Sequence, residues 1–296
     1  MGSGRRVLAQ HRAAAQSRAT GNCNLERPAM NEKELIRGRE RLLEAALERF
    51  VGDPAVVGVF LGGSLAARSA DEYSDIDLRV AVGDADHSWF VEHRREITKS
   101  WPGFLFNEWM PGAQHCVSHF RPFNKIDIFY YAVSALKASP WFGLPIRILH
   151  DPRGVVARLL EQSKGLPFTV SAEDVDFSIS KGIAAAHEAY RRTRRGELFY
   201  AQTLLDELRH HIMQADDWLH GRTPSTAVFA KFDRRGSAET LGILSGSYCG
   251  CEADAMIAAL LSLARLYRGQ ITRLHEQFEL SRPLAADLDS IDIVLP

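Results

Sequence analysis

Three aspartates and a pair of glycines are the residues whose types and spacing could do chemistry. Asp75 and Asp77 stand one residue apart in Asp75-Ile76-Asp77-Leu78-Arg79-Val80. On a strand, positions i and i+2 share a face, so the two carboxylates stand side by side, roughly 7 Å apart at the backbone, while Ile76 and Leu78 point into a core. Two like charges need a counterion, and a hard divalent cation such as Mg²⁺ prefers carboxylate oxygens together with substrate phosphates. Just upstream, the apolar run Val56 to Leu61 ends in Gly62-Gly63-Ser64. Glycines at the end of a strand let the backbone approach a ligand closely, and a helix opening at Leu65 to Arg68 would turn its amides toward an anion. Asp127 is an isolated acid in Lys125-Ile126-Asp127-Ile128-Phe129-Tyr130-Tyr131. Buried without a partner it is costly, and a cation offsets that cost. Each feature also has a plain structural reading: a tight turn for the glycines, an exposed strand face for the acid pair although Asp is disfavoured there, and a solvated strand edge for Asp127.

Taken together the features are more specific. Gly63, Ser64, Asp75 and Asp77 match, as they stand, the Gly-Ser loop and Asp-x-Asp strand of the nucleotidyltransferase superfamily typified by DNA polymerase beta, which the sequence resembles. The fuller strings, Gly63 to Arg68 and Asp71 to Leu78, look like the small bacterial branch containing aminoglycoside and lincosamide nucleotidyltransferases. Gly196 to Arg209 looks like a core helix of the aminoglycoside 6-adenylyltransferase kind. The matches span roughly residues 55 to 215. The resemblance implies an α+β protein, a nucleotidyltransferase mixed sheet with flanking helices followed by an all-α bundle. It implies that Gly62, Gly63 and Ser64 hold the triphosphate of ATP and that Asp75, Asp77 and Asp127 are both the metal ligands, for two Mg²⁺ ions, and the catalytic residues. Asp127 would bind the metal nearest the nucleophile or accept the proton of the attacking hydroxyl. Lys181 would reach the triphosphate, as a helical-domain lysine does in several relatives. The expected reaction is transfer of a nucleoside monophosphate, AMP from ATP in the first instance, to a hydroxyl of a small molecule, with release of pyrophosphate; aminoglycosides come before lincosamides as acceptors. Glu173, Asp174, Asp176 and Glu188 are candidates for a cationic drug or a second base, although capping and solvation account for each individually.

Two rival motifs fail on single residues. Gly58 to Ser64 approaches a phosphate-binding P-loop, but Ser64 stands where the essential Lys belongs. Gly62 to Ala66 approaches the nucleophile elbow of serine hydrolases, but the final Gly is missing and the acid pair is left unexplained. The alternative from another class is a nucleotidyltransferase-like antitoxin or regulatory binding module with a helical RNase partner. Arg268, six intervening residues and His275 loosely resemble the motif of such RNases.

The surrounding elements follow from periodicity. Asn31 to Phe50 carries Leu35, Leu42, Leu43, Ala46, Leu47 and Phe50 at helical spacing behind an Asn cap. Strands are expected at Val56–Leu61, Asp75–Val82, Phe104–Met110, His115–Phe120 and Lys125–Ala132, the last two joined through Arg121 to Asn124 as a hairpin, with a helix over Asp84–Ser100. From Ser171 to Leu280 helical patterns dominate, including Glu173–Arg192, punctuated by Gly196, Gly221, Gly236 and Gly250. The expected domains are a disordered extension at 1–30, a nucleotidyltransferase domain at 31–152 and a helical bundle at 153–296. The extension is set apart by Arg5, Arg6, Arg12, Arg18 and Arg27 against the single acid Glu26.

Composition narrows the partners. Of 296 residues, 46% are hydrophobic and 25% charged, which is ordinary for a globular protein. A formal net charge of -1 provides no global field for a polyanion, so nucleic acid is not the default partner. Cys23, Cys116, Cys249 and Cys251 are too scattered for a disulfide framework, and Cys249-x-Cys251 lacks the second pair of a zinc site. A reducing cytoplasm is expected. The longest apolar run, Ala255 to Ala264, is broken by Ser262 and falls short of the roughly 20 residues that span a bilayer.

Overall fold

The computed structural model describes residues 31–223 and 227–296. The extension expected at 1–30 lies outside the described residues. The chain divides into two compact units, the first closing at Leu166 and the second formed by Pro167–Pro296.

The first unit is built on a mixed six-stranded sheet in the order β3-β4-β5-β2-β1-β6. Its strands are β1 (Val56–Leu61), β2 (Ile76–Val82), β3 (Phe104–Glu108), β4 (His115–Phe120), β5 (Asn124–Ala132) and β6 (Arg147–His150). β2 and β5 are parallel, and every other neighbouring pair is antiparallel. Helix α1 (Glu32–Val51) starts where the side chain of Asn31 accepts the Lys33 amide, and buries Leu35, Leu42, Ala46 and Phe50. Leu42, Ala46 and Phe50 pack with Val59, Ile76, Leu78, Val80, Ile126, Ile128 and Tyr130 on one face of the sheet. Alternation along β2 and β5 then leaves Asp77 and Arg79, and Lys125 and Asp127, on the opposite face. That division of faces is what presents the acids.

The structure departs from sequence periodicity at four points. The helix expected over Asp84–Ser100 is only α3 (His87–His93), α2 being the single turn Gly63–Ala66. Beyond His93 the side chains of Arg94 and Asn107 bond the carbonyls of Val91 and Arg95, and Thr98 bonds Ser118 of β4, so that stretch is tied to the sheet as turns. β3 ends at Glu108 rather than Met110. β6 was not expected; four residues with little alternation become a strand only because the free edge of β1 is there to pair with. The first unit also runs past the boundary expected at 152, because α4 (Val155–Ser163) buries Val156 against Val57, Phe60 and Ala81.

The second unit comprises α5 (Ala172–Arg194), α6 (Leu198–Leu219), α7 (Phe232–Arg235), α8 (Ala238–Ser247), α9 (Ala253–Gln277) and α10 (Leu284–Asp292). A capping box between Ser171 and Asp174 opens α5. Ile179, Ala186, Leu205, Leu208, Ile212, Leu260, Leu263 and Tyr267 form its core. No helix among the described residues is long and apolar enough to cross a membrane.

One buried group is expected to make this unit sensitive to acid. His211 Nδ1 lies 2.9 Å from Ser178 Oγ. Burial, reinforced by His210 and Lys181, lowers its pKa to about 4. The unfolded ring, with a pKa of about 6.5, takes up a proton that the folded ring refuses, so this stability is complete above about pH 6.5 and is lost as pH falls toward about 4. Between pH 7.5 and pH 5 urea titrations should show a loss of about 2 kcal/mol, and His211→Asn should flatten that slope. An unchanged slope in the variant would assign the acid sensitivity elsewhere.

Candidate active site

Four pieces of chain build the site. The first is the turn after β1. Gly62 N donates to Asp77 O at 3.0 Å, tying the turn to β2. Gly63 takes φ +59, and a Cβ there would overlap Asp77 Oδ2. Both the backbone conformation and the space demand glycine, because the Asp77 carboxylate is seated directly against this residue.

The second piece is the loop before β2. Asp71 Oδ1 accepts from Ser74 Oγ at 2.8 Å and from Tyr73 N at 3.2 Å, an Asx-type turn that shapes the approach to Asp75. Arg39, reaching from α1, donates to the carbonyls of Asp71 at 2.5 Å and Ser74 at 3.0 Å. The helix therefore anchors the loop that delivers Asp75.

The third and fourth pieces are the facing residues of β2 and β5. Parallel pairing sets Asp77 beside Asp127 and Ile76 beside Ile126. Asp75, just ahead of β2, reaches Lys125: Lys125 Nζ lies 2.9 Å from Asp75 Oδ2 and 3.2 Å from Asp127 Oδ1. Burial raises the Asp127 carboxyl above the ordinary range, only partly opposed by Lys125, with Asp75 and Asp77 adding to the rise. Burial alone would lower Lys125, but the hydrogen bond to Asp75 and the charge of Asp127 outweigh it and raise its pKa. An ammonium is thus held between two of the three acids.

Expectation and geometry part at this point. Asp77 and Asp127 are neighbours and Asp75 is linked to Asp127 through Lys125, but among the described residues no group of three or more His, Cys, Asp or Glu side chains is placed to hold a metal ion. The donor set nevertheless fits a hard divalent cation. All its ligands would be carboxylate oxygens, and Asp127 Oδ1 is buried and accepts no hydrogen bond; the Lys125 ammonium beside Asp75 and Asp127 would give way to the metal ion.

Lys125 and Arg79 are site residues that motif reasoning passed over. Arg79 Nη1 is buried without a hydrogen-bond partner. Its guanidinium lies against Gly62, where a Cβ would overlap it, and 5.8 Å from the centre of the Phe129 ring. A cation behind the glycine turn favours an anion in front of it. The signal was present in the spacing, since Arg79 is two residues after Asp77 and Lys125 two before Asp127, each on the face of its acid.

The expected residues of the helical half stand as follows. Lys181 belongs to the second unit, exposed on α5 with Nζ 5.9 Å from the Phe177 ring centre. Asp174 caps α5, Asp176 Oδ2 accepts the Ser281 amide at 2.8 Å, and Glu188 pairs with Arg191 and Arg192. Arg268 forms a fork on Asp292 at 2.6 and 3.1 Å, and His275 Nε2 lies 3.0 Å from Asp287 Oδ2. Both residues of the RNase-like pattern are therefore engaged with α10.

No protein-family model matches the sequence, and no curated protein matches it. Among solved structures the chain is similar to nucleotidyltransferase-like proteins. One, a nucleotidyltransferase-like protein from Exiguobacterium sibiricum, is 15% identical with a TM-score of 0.41, and the match covers 88% of each chain. An aminoglycoside 6-adenyltransferase from Bacillus subtilis is 13% identical with a TM-score of 0.42, covering 89% of this chain and 98% of that one. A CD-NTase, CdnG, from Bradyrhizobium diazoefficiens, solved in complex with GTP, is 10% identical with a TM-score of 0.30, covering 90% of this chain and 85% of that one.

Proposed function

We propose that this protein is a Mg²⁺-dependent nucleotidyltransferase that moves a nucleoside monophosphate, AMP from ATP, onto a hydroxyl of a small molecule. The observation that carries the reading is the pairing of Asp77 with Asp127 across β2 and β5, with Gly63 pressed onto the Asp77 carboxylate. Gly62, Gly63 and Ser64 receive the triphosphate, with the Arg79 cation behind the turn. Asp75, Asp77 and Asp127 would hold the metal, which would neutralise charge on the attacking and leaving oxygens. Lys125 keeps these acids close together and offsets their repulsion. The acceptor oxygen forms a bond to the α-phosphorus as the bond to the bridging oxygen breaks, and pyrophosphate leaves with the electron pair. Asp127, beside Asp77 in the register of β2 and β5, is assigned the hydroxyl proton on the family resemblance. The free thiols of Cys116, Cys249 and Cys251 suit a reducing cytoplasm.

A pyrophosphate-release screen tests this reading. ATP, GTP, CTP and UTP are each paired with aminoglycosides, lincosamides and small hydroxyaromatic compounds in the presence of Mg²⁺. Release that requires both a particular nucleotide and a particular acceptor is the expected result. Absence of release from every pair, by protein that binds no nucleotide, would remove the reading.

A further inference from the structure

A concavity opens directly beside Asp75 and Lys125. It has a volume of about 420 Å³ and is lined by Tyr73, Asp75, Phe106, His119, Phe123 and Lys125 among others. That volume lies within the range of small-molecule sites. Strand register makes it a sideways continuation of the acid face: Lys125 pairs with His119 across β5 and β4, and His119 pairs with Phe106 across β4 and β3. The rings of Phe106 and His119 are stacked, 4.3 Å apart and 10° from parallel. They form a flat wall, and Tyr73 and Phe123 leave large apolar surfaces open around it.

We infer that this pocket binds the acceptor, and that the acceptor is a planar aromatic compound bearing a hydroxyl rather than a polycationic sugar. Two observations carry the inference, which rests on the transfer reading for the side from which the acceptor enters. The first is sheet order. The glycine turn follows β1, on one side of β2, whereas the pocket lies toward β5, β4 and β3 on the other. In-line displacement requires the nucleophile to enter opposite the leaving pyrophosphate, and with the triphosphate on the β1 side that entrance is the pocket. The second is chemistry. An aromatic wall favours a flat ring, and the only carboxylates lining the pocket among the described residues are Glu72 and Asp75, of which Asp75 is already paired with Lys125. A ligand with several ammonium groups would find one free counter-charge and the Lys125 cation.

Equilibrium dialysis with 2-naphthol tests the assignment without depending on catalysis. Phe106 and Phe123 are 53% and 70% exposed, so truncating them leaves the core intact. Wild type should bind 2-naphthol saturably at one site. Phe106→Ala and Phe123→Ala should each weaken binding roughly tenfold, the scale of losing one aromatic contact. Phe199→Ala, an exposed phenylalanine of the second unit, should leave binding unchanged. ATP should not displace the probe, nor should kanamycin. No saturable binding, unaltered binding in both pocket variants, or displacement by ATP would each overturn the proposal, the last by giving the pocket to the nucleotide base. The two readings fail separately. Naphthol binding with no pyrophosphate release from any pair keeps the pocket and removes transfer, whereas release with aminoglycosides and no naphthol binding keeps transfer and removes the pocket.

Discussion

Replacing Asp127 by Asn should abolish nucleotidyl transfer and leave the protein folded. The substitution keeps the side chain's shape and removes its charge from a place where it lies beside Asp77 and 3.2 Å from Lys125 Nζ. Metal-assisted stabilisation of the transferring phosphoryl group amounts to several kcal/mol, and a loss of about 4 kcal/mol lowers the rate by about 10³-fold. Asp77→Asn should do the same, through the ligand seated against Gly63. The effect on stability should be opposite in sign. Two acids side by side repel, and burial already works against ionisation of Asp127, so removing one charge should leave the thermal midpoint unchanged or raise it slightly. Single-turnover pyrophosphate release, alongside a thermal scan, separates the two outcomes. Full turnover in both variants would take the acids out of the reaction, and loss of turnover accompanied by unfolding would assign them a structural role instead.

Gly63→Ala should be nearly as damaging, for a different reason. At φ +59 an alanine is strained by about 1–2 kcal/mol, so the thermal midpoint should fall by several degrees. The larger effect is geometric. The new methyl would overlap Asp77 Oδ2, and either the turn or the carboxylate must shift. A misplacement of about 1 Å in a catalytic group costs roughly 10²-fold in rate. The prediction is therefore a fall of about that size in kcat/KM, with ATP affinity and the rate both affected, since the turn and the acid are displaced together. Gly112→Ala is the matching control, because Gly112 also has positive φ but no neighbour within 4 Å of its would-be Cβ. It should share the strain and not the loss of activity. Equal losses in the two variants would mean that backbone strain, not contact with Asp77, is what the position enforces.

Much of this arrangement was legible before any coordinates, because strand alternation is a local rule. Buried Ile76, Leu78, Ile126 and Ile128 oblige Asp77 and Asp127 to emerge on the other face. The helix α1, with its Asn31 cap, and the long helices of the second unit follow from spacing in the same way. Where side chains from distant segments compete for backbone groups, the local rule loses. Thr98 and Asn107 end α3 early, and β6 exists because β1 offers it an edge.

The sequence alone determined which face of its strand each of Asp77 and Asp127 occupies, since that depends only on residue type and a period of two. What it left open was how the strands stand beside one another. The parallel register of β2 and β5 decides that Asp77 meets Asp127, that Lys125 lies between Asp75 and Asp127 where a convergent acid trio was expected, and that His119 and Phe106 continue the same row into a pocket. Register is a relation between segments some fifty residues apart, fixed by the packing of both against α1 and by the turns that join them. No window of the sequence contains it.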